Sequence, residues 1–141
     1  CPAVTTASAS PAAGVIANGI AISTITVTVR EGNGNPVAGQ AVMLASSGSN
    51  NTLVQPGLTD AFGVASGTIA SITAELKTIT ATVNPGASQV VVAQQPTVEF
   101  VGDPSSISAV LTTASASPAS GVFANGAAVS TITVTVRDQN G

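Results

Sequence analysis

The stretch STITVTVR occupies residues 23–30 and returns unchanged at 130–137. From Thr24 to Val29 it alternates strictly, with Ile25, Val27 and Val29 on one side and Thr24, Thr26 and Thr28 on the other. Successive side chains of a strand point to opposite faces, so this pattern predicts a half-buried β-strand. Its inner face is β-branched and apolar; its outer face carries hydroxyls. Ile20 and Ile22 lie on the opposite parity, which predicts a phase break near Ser23-Thr24, either a β-bulge or a strand crossover.

The duplication reaches well beyond these eight residues. TTASASP begins at Thr5 and again at Thr112, 107 positions later, and the offset holds to Gly34 and Gly141. Between 5–34 and 112–141 only six positions differ: Ala13/Ser120, Ile16/Phe123, Ile20/Ala127, Ile22/Val129, Glu31/Asp138 and Gly32/Gln139. A period near 100 residues is the size of a small β-sandwich, so the chain reads as a tandem repeat. Residues 1–102 make a complete unit, 103–108 a linker, and 109–141 the first strands of a second unit. A partial sandwich leaves one face of its core wet. The second unit is therefore expected to be completed by further sequence or by strands of another chain.

The rest of the chain continues in the same idiom. Ala41–Ala45, Val64–Ile72, Thr78–Val83, Val90–Ala93 and Thr97–Val101 are strand candidates, the last two interrupted by Pro96. Turn-forming clusters separate them: EGNGNPVAG at 31–39, SSGSNN at 46–51, TDAFG at 59–63 and NPGAS at 84–88. No stretch keeps a helical period. Seven or so short strands per hundred residues predict an all-β, two-sheet sandwich.

Composition narrows the function. Apolar residues are 44% of the 141, but aromatics are only 2%, so the core must be aliphatic. Charged residues are 6%, against about 25% in ordinary soluble domains. Threonine and serine fill the strand faces that lysine and glutamate usually occupy. Such a surface suits either a neutral monomer or one covered by neighbouring subunits or sugar. Three basic residues against six acidic ones exclude nucleic acid as a partner. No apolar run approaches the roughly 20 residues of a membrane-spanning helix.

Catalysis finds little to work with. The chain has no His, no Tyr, one Cys and one Lys, so most nucleophile–base pairs cannot be assembled. Its six acids, scattered among turns and strand ends, read as turn residues and solvated charges. The chain is not expected to be an enzyme or to need a cofactor. Asp103 and Asp138 are weak calcium candidates, because two carboxylates fall short of the six to eight oxygens that Ca²⁺ takes. Their ordinary reading is a turn starter before Pro104 and a loop cap. Lys77 reads as a solvated charge at a strand start, with an isopeptide crosslink to an Asn as the sharper alternative. Cys1, having no partner for a disulfide, is a candidate lipid anchor or simply where the segment starts.

Taken in order, the alternating TITVTV strand, NGNPVAGQAVML at 33–44, TDAFGVASGTI at 59–69, KTITATV at 77–83 and VEFVGDPSS at 98–106 resemble a known family. It is the group 1 bacterial immunoglobulin-like domain, found in tandem in invasin- and intimin-type adhesins. The likeness covers 3–102 and resumes in 109–141. Two departures are Glu31, where that family usually has Asp as at position 138, and Met43-Leu44 in place of an aromatic. The resemblance implies an immunoglobulin-like Greek-key sandwich serving as an extracellular, surface-exposed spacer. Its implied partners are other copies of itself and, in the alternative of an adhesive module gripping through loops such as 46–57, a host protein or glycan. The assembly residues are expected in the repeated strand: Thr131, Ile132, Thr133, Val134, Thr135 and Val136.

Overall fold

A computed structural model of the chain describes residues 4–86 and 88–141. It is all-β and divides into two compact units, one ending at Val101 and the other comprising Gly102–Gly141.

The first unit is built from β1 (Thr6–Ser10), β2 (Val15–Ile16), β3 (Ser23–Thr28), β4 (Val42–Ser46), β5 (Asn51–Val54), β6 (Val64–Ser71), β7 (Leu76–Val83), β8 (Val90–Val91) and β9 (Thr97–Val101). One sheet has the order β1-β3-β6-β5; the other has the order β2-β9-β7-β4, with β8 also on β7. Most neighbours are not consecutive in sequence, which is the mark of Greek-key crossovers between two layers. Every pairing is antiparallel except β2 with β9.

The alternation read in the opening stretch is what closes the core. Along β3, Ser23, Ile25 and Val27 are buried while Thr24, Thr26 and Thr28 are half-exposed. Leu44, Ile79, Ala81, Val83, Val98 and Phe100 face them from the second sheet, and Phe100 is the one aromatic among these buried residues. Small aliphatic side chains bury little area each, so close packing carries much of the stability. Gly67 shows how close: a Cβ there would lie 2.4 Å from the Val54 carbonyl oxygen and 2.9 Å from Leu44 Cδ1.

Of the two readings of the phase break before Ser23, the crossover holds and the bulge does not: the chain passes from β2 in one sheet to β3 in the other. It does so through an exposed turn in which Asn18 Oδ1 accepts from the amides of Ile20 and Ala21, and both Ile20 and Ile22 stay exposed. Two expectations need correction. Residues 51–54, read as turn and binding loop, form β5 on the edge of the first sheet. TTASASP supplies β1, which has no β-branched inward residue and was therefore silent to a pattern search. By contrast Pro96 does interrupt one edge: β8 and β9 both pair with β7, at Thr82-Val83 and at Leu76–Thr78.

Candidate functional site

The repeated stretch forms β11 (Thr131–Thr135), which pairs antiparallel with β10 (Thr113–Ser117) in the second unit. The two copies agree in detail. Thr6↔Thr28 to Ser10↔Thr24 in the first unit correspond to Thr113↔Thr135 to Ser117↔Thr131 in the second. Ser23 Oγ donates to the Pro11 carbonyl at 2.7 Å, and Ser130 Oγ donates to that of Pro118 at the same distance. Asn125 Oδ1 accepts from the amides of Ala127 and Ala128, as Asn18 does 107 residues earlier. Near-identical sequence has given near-identical local structure.

What differs is cover. Ile25, Val27 and Val29 are 0%, 0% and 7% exposed, whereas Ile132, Val134 and Val136 are 64%, 60% and 60% exposed. The outer edge of β3 is paired by β6, but among the described residues β10 and β11 form a sheet of two strands. Thr131, Ile132, Thr133, Val134, Thr135 and Val136 are all exposed, so the expected assembly residues form both an open edge and an open apolar face. Covering those three aliphatic side chains to the depth reached in the first unit is worth roughly 3–5 kcal/mol.

Edges in the first unit are treated differently. At Leu44 on the edge strand β4, the Gln55 side chain accepts from the amide at 2.7 Å and donates to the carbonyl at 2.9 Å. On β1, the edge of the other sheet, Gln94 Oε1 accepts from the Ala7 amide at 3.2 Å. A side-chain amide thus stands where a further strand would pair, which blocks edge-to-edge addition without using charge. These two glutamines escaped the sequence reading, since nothing local marks a Gln as a strand cap.

The scattered charges serve the backbone. Asp138 Oδ2 accepts from the Asp103 amide at 2.8 Å, and its Oδ1 accepts from the Asn140 amide at 2.9 Å. Asp103 Oδ1 accepts from the hydroxyl and amide of Ser105, which hold its carboxyl below the usual carboxylate range. Among the described residues no three of His, Cys, Asp and Glu lie together as a metal site would require. Cys1 lies outside the described residues.

Lys77 is not the solvated edge charge that was expected. It is fully buried, its Nζ donating to Glu75 Oε1 at 2.5 Å and to the Ser49 carbonyl at 2.9 Å, with the Phe100 ring centroid 5.8 Å away. Glu75 also accepts from the Ser49 amide at 2.8 Å. The Lys77 ammonium first, and that amide second, lower the pKa of Glu75. The signal was present in KTITATV: Lys77 shares the parity of Ile79, Ala81 and Val83, the inward-facing set. The ion pair ties β7 to the 48–50 turn.

A profile of the bacterial Ig-like domain (group 1) family matches residues 6–101. No curated protein matches the chain by sequence. Among solved structures the chain is similar to invasin, a bacterial integrin-binding protein, at 26% identity and a TM-score of 0.76, covering 100% of this chain and 27% of that one. It is similar to InvD of Yersinia pseudotuberculosis at 25% identity and a TM-score of 0.79, covering 100% of this chain and 39% of that one. It shares its fold with the C-terminal 282-residue fragment of intimin, solved in complex with the intimin-binding domain of the translocated intimin receptor. There the identity is 21% and the TM-score 0.58, over 95% of this chain and 46% of that one.

Proposed function

The chain belongs to the bacterial Ig-like domain (group 1) family, and from that premise we propose that it is a non-catalytic structural repeat of an extracellular adhesin stalk or surface fibre. The observation that carries this reading is the first unit itself. Its core is a closed aliphatic sandwich, its sheet edges at β1 and β4 are capped by Gln94 and Gln55, and its opening strands recur 107 residues later. A module of this kind adds length and stiffness and presents no converging set of reactive groups. The likeness to invasin, an integrin-binding protein, supports a place in a cell-surface protein that meets a host. The alternative, an adhesive module acting through its own loops, has less to build on, because β5 commits a third of 46–57 to a sheet.

One, two and three joined copies of the repeat, compared by small-angle X-ray scattering, test the proposal. A sandwich whose longest strands hold eight residues is about 26 Å long in the strand direction. The maximum dimension should therefore grow by roughly 25–40 Å per added copy. Growth as the cube root of mass, as in a compact particle, would count against a stalk.

The near-duplication of 5–34 in 112–141 supports a second reading, assembly by strand complementation. The near-duplicate 112–141 occupies in another copy the place that 5–34 holds in this one, and head-to-tail repetition of such a contact gives a filament. Sedimentation velocity should then reveal concentration-dependent oligomers that disappear in Val134→Asp. A chain that stays monomeric up to hundreds of micromolar would dismiss this reading and leave the stalk standing.

A further inference from the structure

The two copies of the repeated segment differ in a second way, at their C-terminal ends. In the second unit Asp138 is 8% exposed because residues 102–108 run across it. The Asp103 amide donates to Asp138 Oδ2 at 2.8 Å, the Gln139 amide donates to the Ser106 carbonyl at 2.9 Å, and Ile107 and Asp138 form an antiparallel bridge. The Ser108 amide adds a bond to the Arg137 carbonyl at 2.9 Å. The linker is therefore hydrogen-bonded to the segment that follows β11 in the unit it introduces.

In the first unit the matching positions are open. Val29, Arg30, Glu31 and Gly32, the counterparts of Val136 to Gln139, line a cleft of about 490 Å³ together with Val83 and Val90. Glu31 is exposed and uses Oε1 to accept from the Asn35 side chain, and the Gly32 amide has no partner among the described residues. The backbone around them is set as in the second unit. Thr5 and Arg30 exchange the same two hydrogen bonds as Thr112 and Arg137, and the Gly34 amide donates to Glu31 as the Gly141 amide does to Asp138.

We infer that this cleft is the seat of a linker peptide with the chemistry of residues 102–107, Gly-Asp-Pro-Ser-Ser-Ile, belonging to a preceding repeat. Its carbonyl accepts from the Gly32 amide, and one of its amides donates to the Glu31 carboxylate. Glutamate is longer than aspartate by one methylene, and Gly32 in place of Gln139 leaves the room for it. Each linker is then a structural part of the sandwich that follows it. The inference rests on the repeat reading for the identity of the occupant; the cleft and its unpaired amide are independent of it.

The test attaches Gly-Asp-Pro-Ser-Ser-Ile directly before Cys1 of the full chain, which sets its Ile in the register of Ile107. A scrambled hexapeptide serves as control. The native extension should raise the main melting transition by about 4 °C or more over the control, and hydrogen exchange should slow at Gly32. Glu31→Ala should remove most of the gain and Glu31→Asp should keep it. No gain over the scrambled peptide would overturn the inference. So would a gain that survives Glu31→Ala, or one that grows with protein concentration and thus arises between copies. None of these results bears on whether joined copies form an extended stalk, which scattering reads separately.

Discussion

Ile25 and Ile132 occupy the same place in two copies of one sequence, so truncating each to alanine isolates the effect of cover. Ile25 is completely buried between the sheets. Removing three of its carbons forfeits their transfer free energy and leaves a cavity in an aliphatic core with little slack, at a cost of about 3–4 kcal/mol. For a unit of this size each kcal/mol lowers the melting temperature by about 4–8 °C, so Ile25→Ala should lose roughly 12–30 °C. Ile132 is 64% exposed and borders no closed cavity, so the same truncation in dilute solution should cost below about 1 kcal/mol. The assay is differential scanning calorimetry at micromolar and at near-millimolar concentration, with sedimentation alongside. If the open face is covered in an assembly, Ile132→Ala leaves the dilute transition in place and weakens association at high concentration. Equal losses from both variants in dilute monomer would refute the claim that the second unit presents an uncovered face.

Lys77→Met keeps the length of the buried side chain and leaves Glu75 able to hydrate, so its melting temperature should stay within a few degrees of the parent. Glu75→Ala strands the Lys77 ammonium in the core with only the Ser49 carbonyl, and calorimetry should show the larger loss of the two. Both Glu75 and Asp103 have folded pKa values below their unfolded ones, so the stability they contribute is present above the unfolded values and lost as pH falls through the folded ones. Urea titrations between pH 6 and about pH 2.5 should therefore show a decline that begins near pH 4 and is shallower in Glu75→Gln. Gly67→Ala drives a Cβ into the Val54 carbonyl and Leu44, and should cost about 1–3 kcal/mol by chemical denaturation. Chelator should leave the melting temperature unchanged, since Asp138 uses both carboxylate oxygens on backbone amides and Asp103 uses Oδ1 on Ser105; a drop of several degrees would restore them as calcium ligands.

Much of this was legible in the order of residues. The parity of Ile25, Val27 and Val29 named the buried face of β3 before any partner was known, because alternation is a property of one strand alone. The same rule, applied without regard to charge, would have put Lys77 inside with Ile79 and Ala81; the habit of reading a lone lysine as solvated overrode it. β1 and β5 were missed because Ala, Ser, Asn and Thr acquire strand geometry from the neighbours they pair with, and those neighbours lie at least 14 residues away in sequence.

The sequence by itself determined the strand class, the inward and outward faces of the main strands, the aliphatic core and the recurrence of 5–34 at 112–141, since each is written in local periodicity or in direct self-similarity. Only the tertiary structure decided which edges Gln55 and Gln94 close, and that Glu75 and Lys77 meet beside Ser49. Burial and edge closure depend on what a distant part of the chain brings alongside, which no local pattern of residues records.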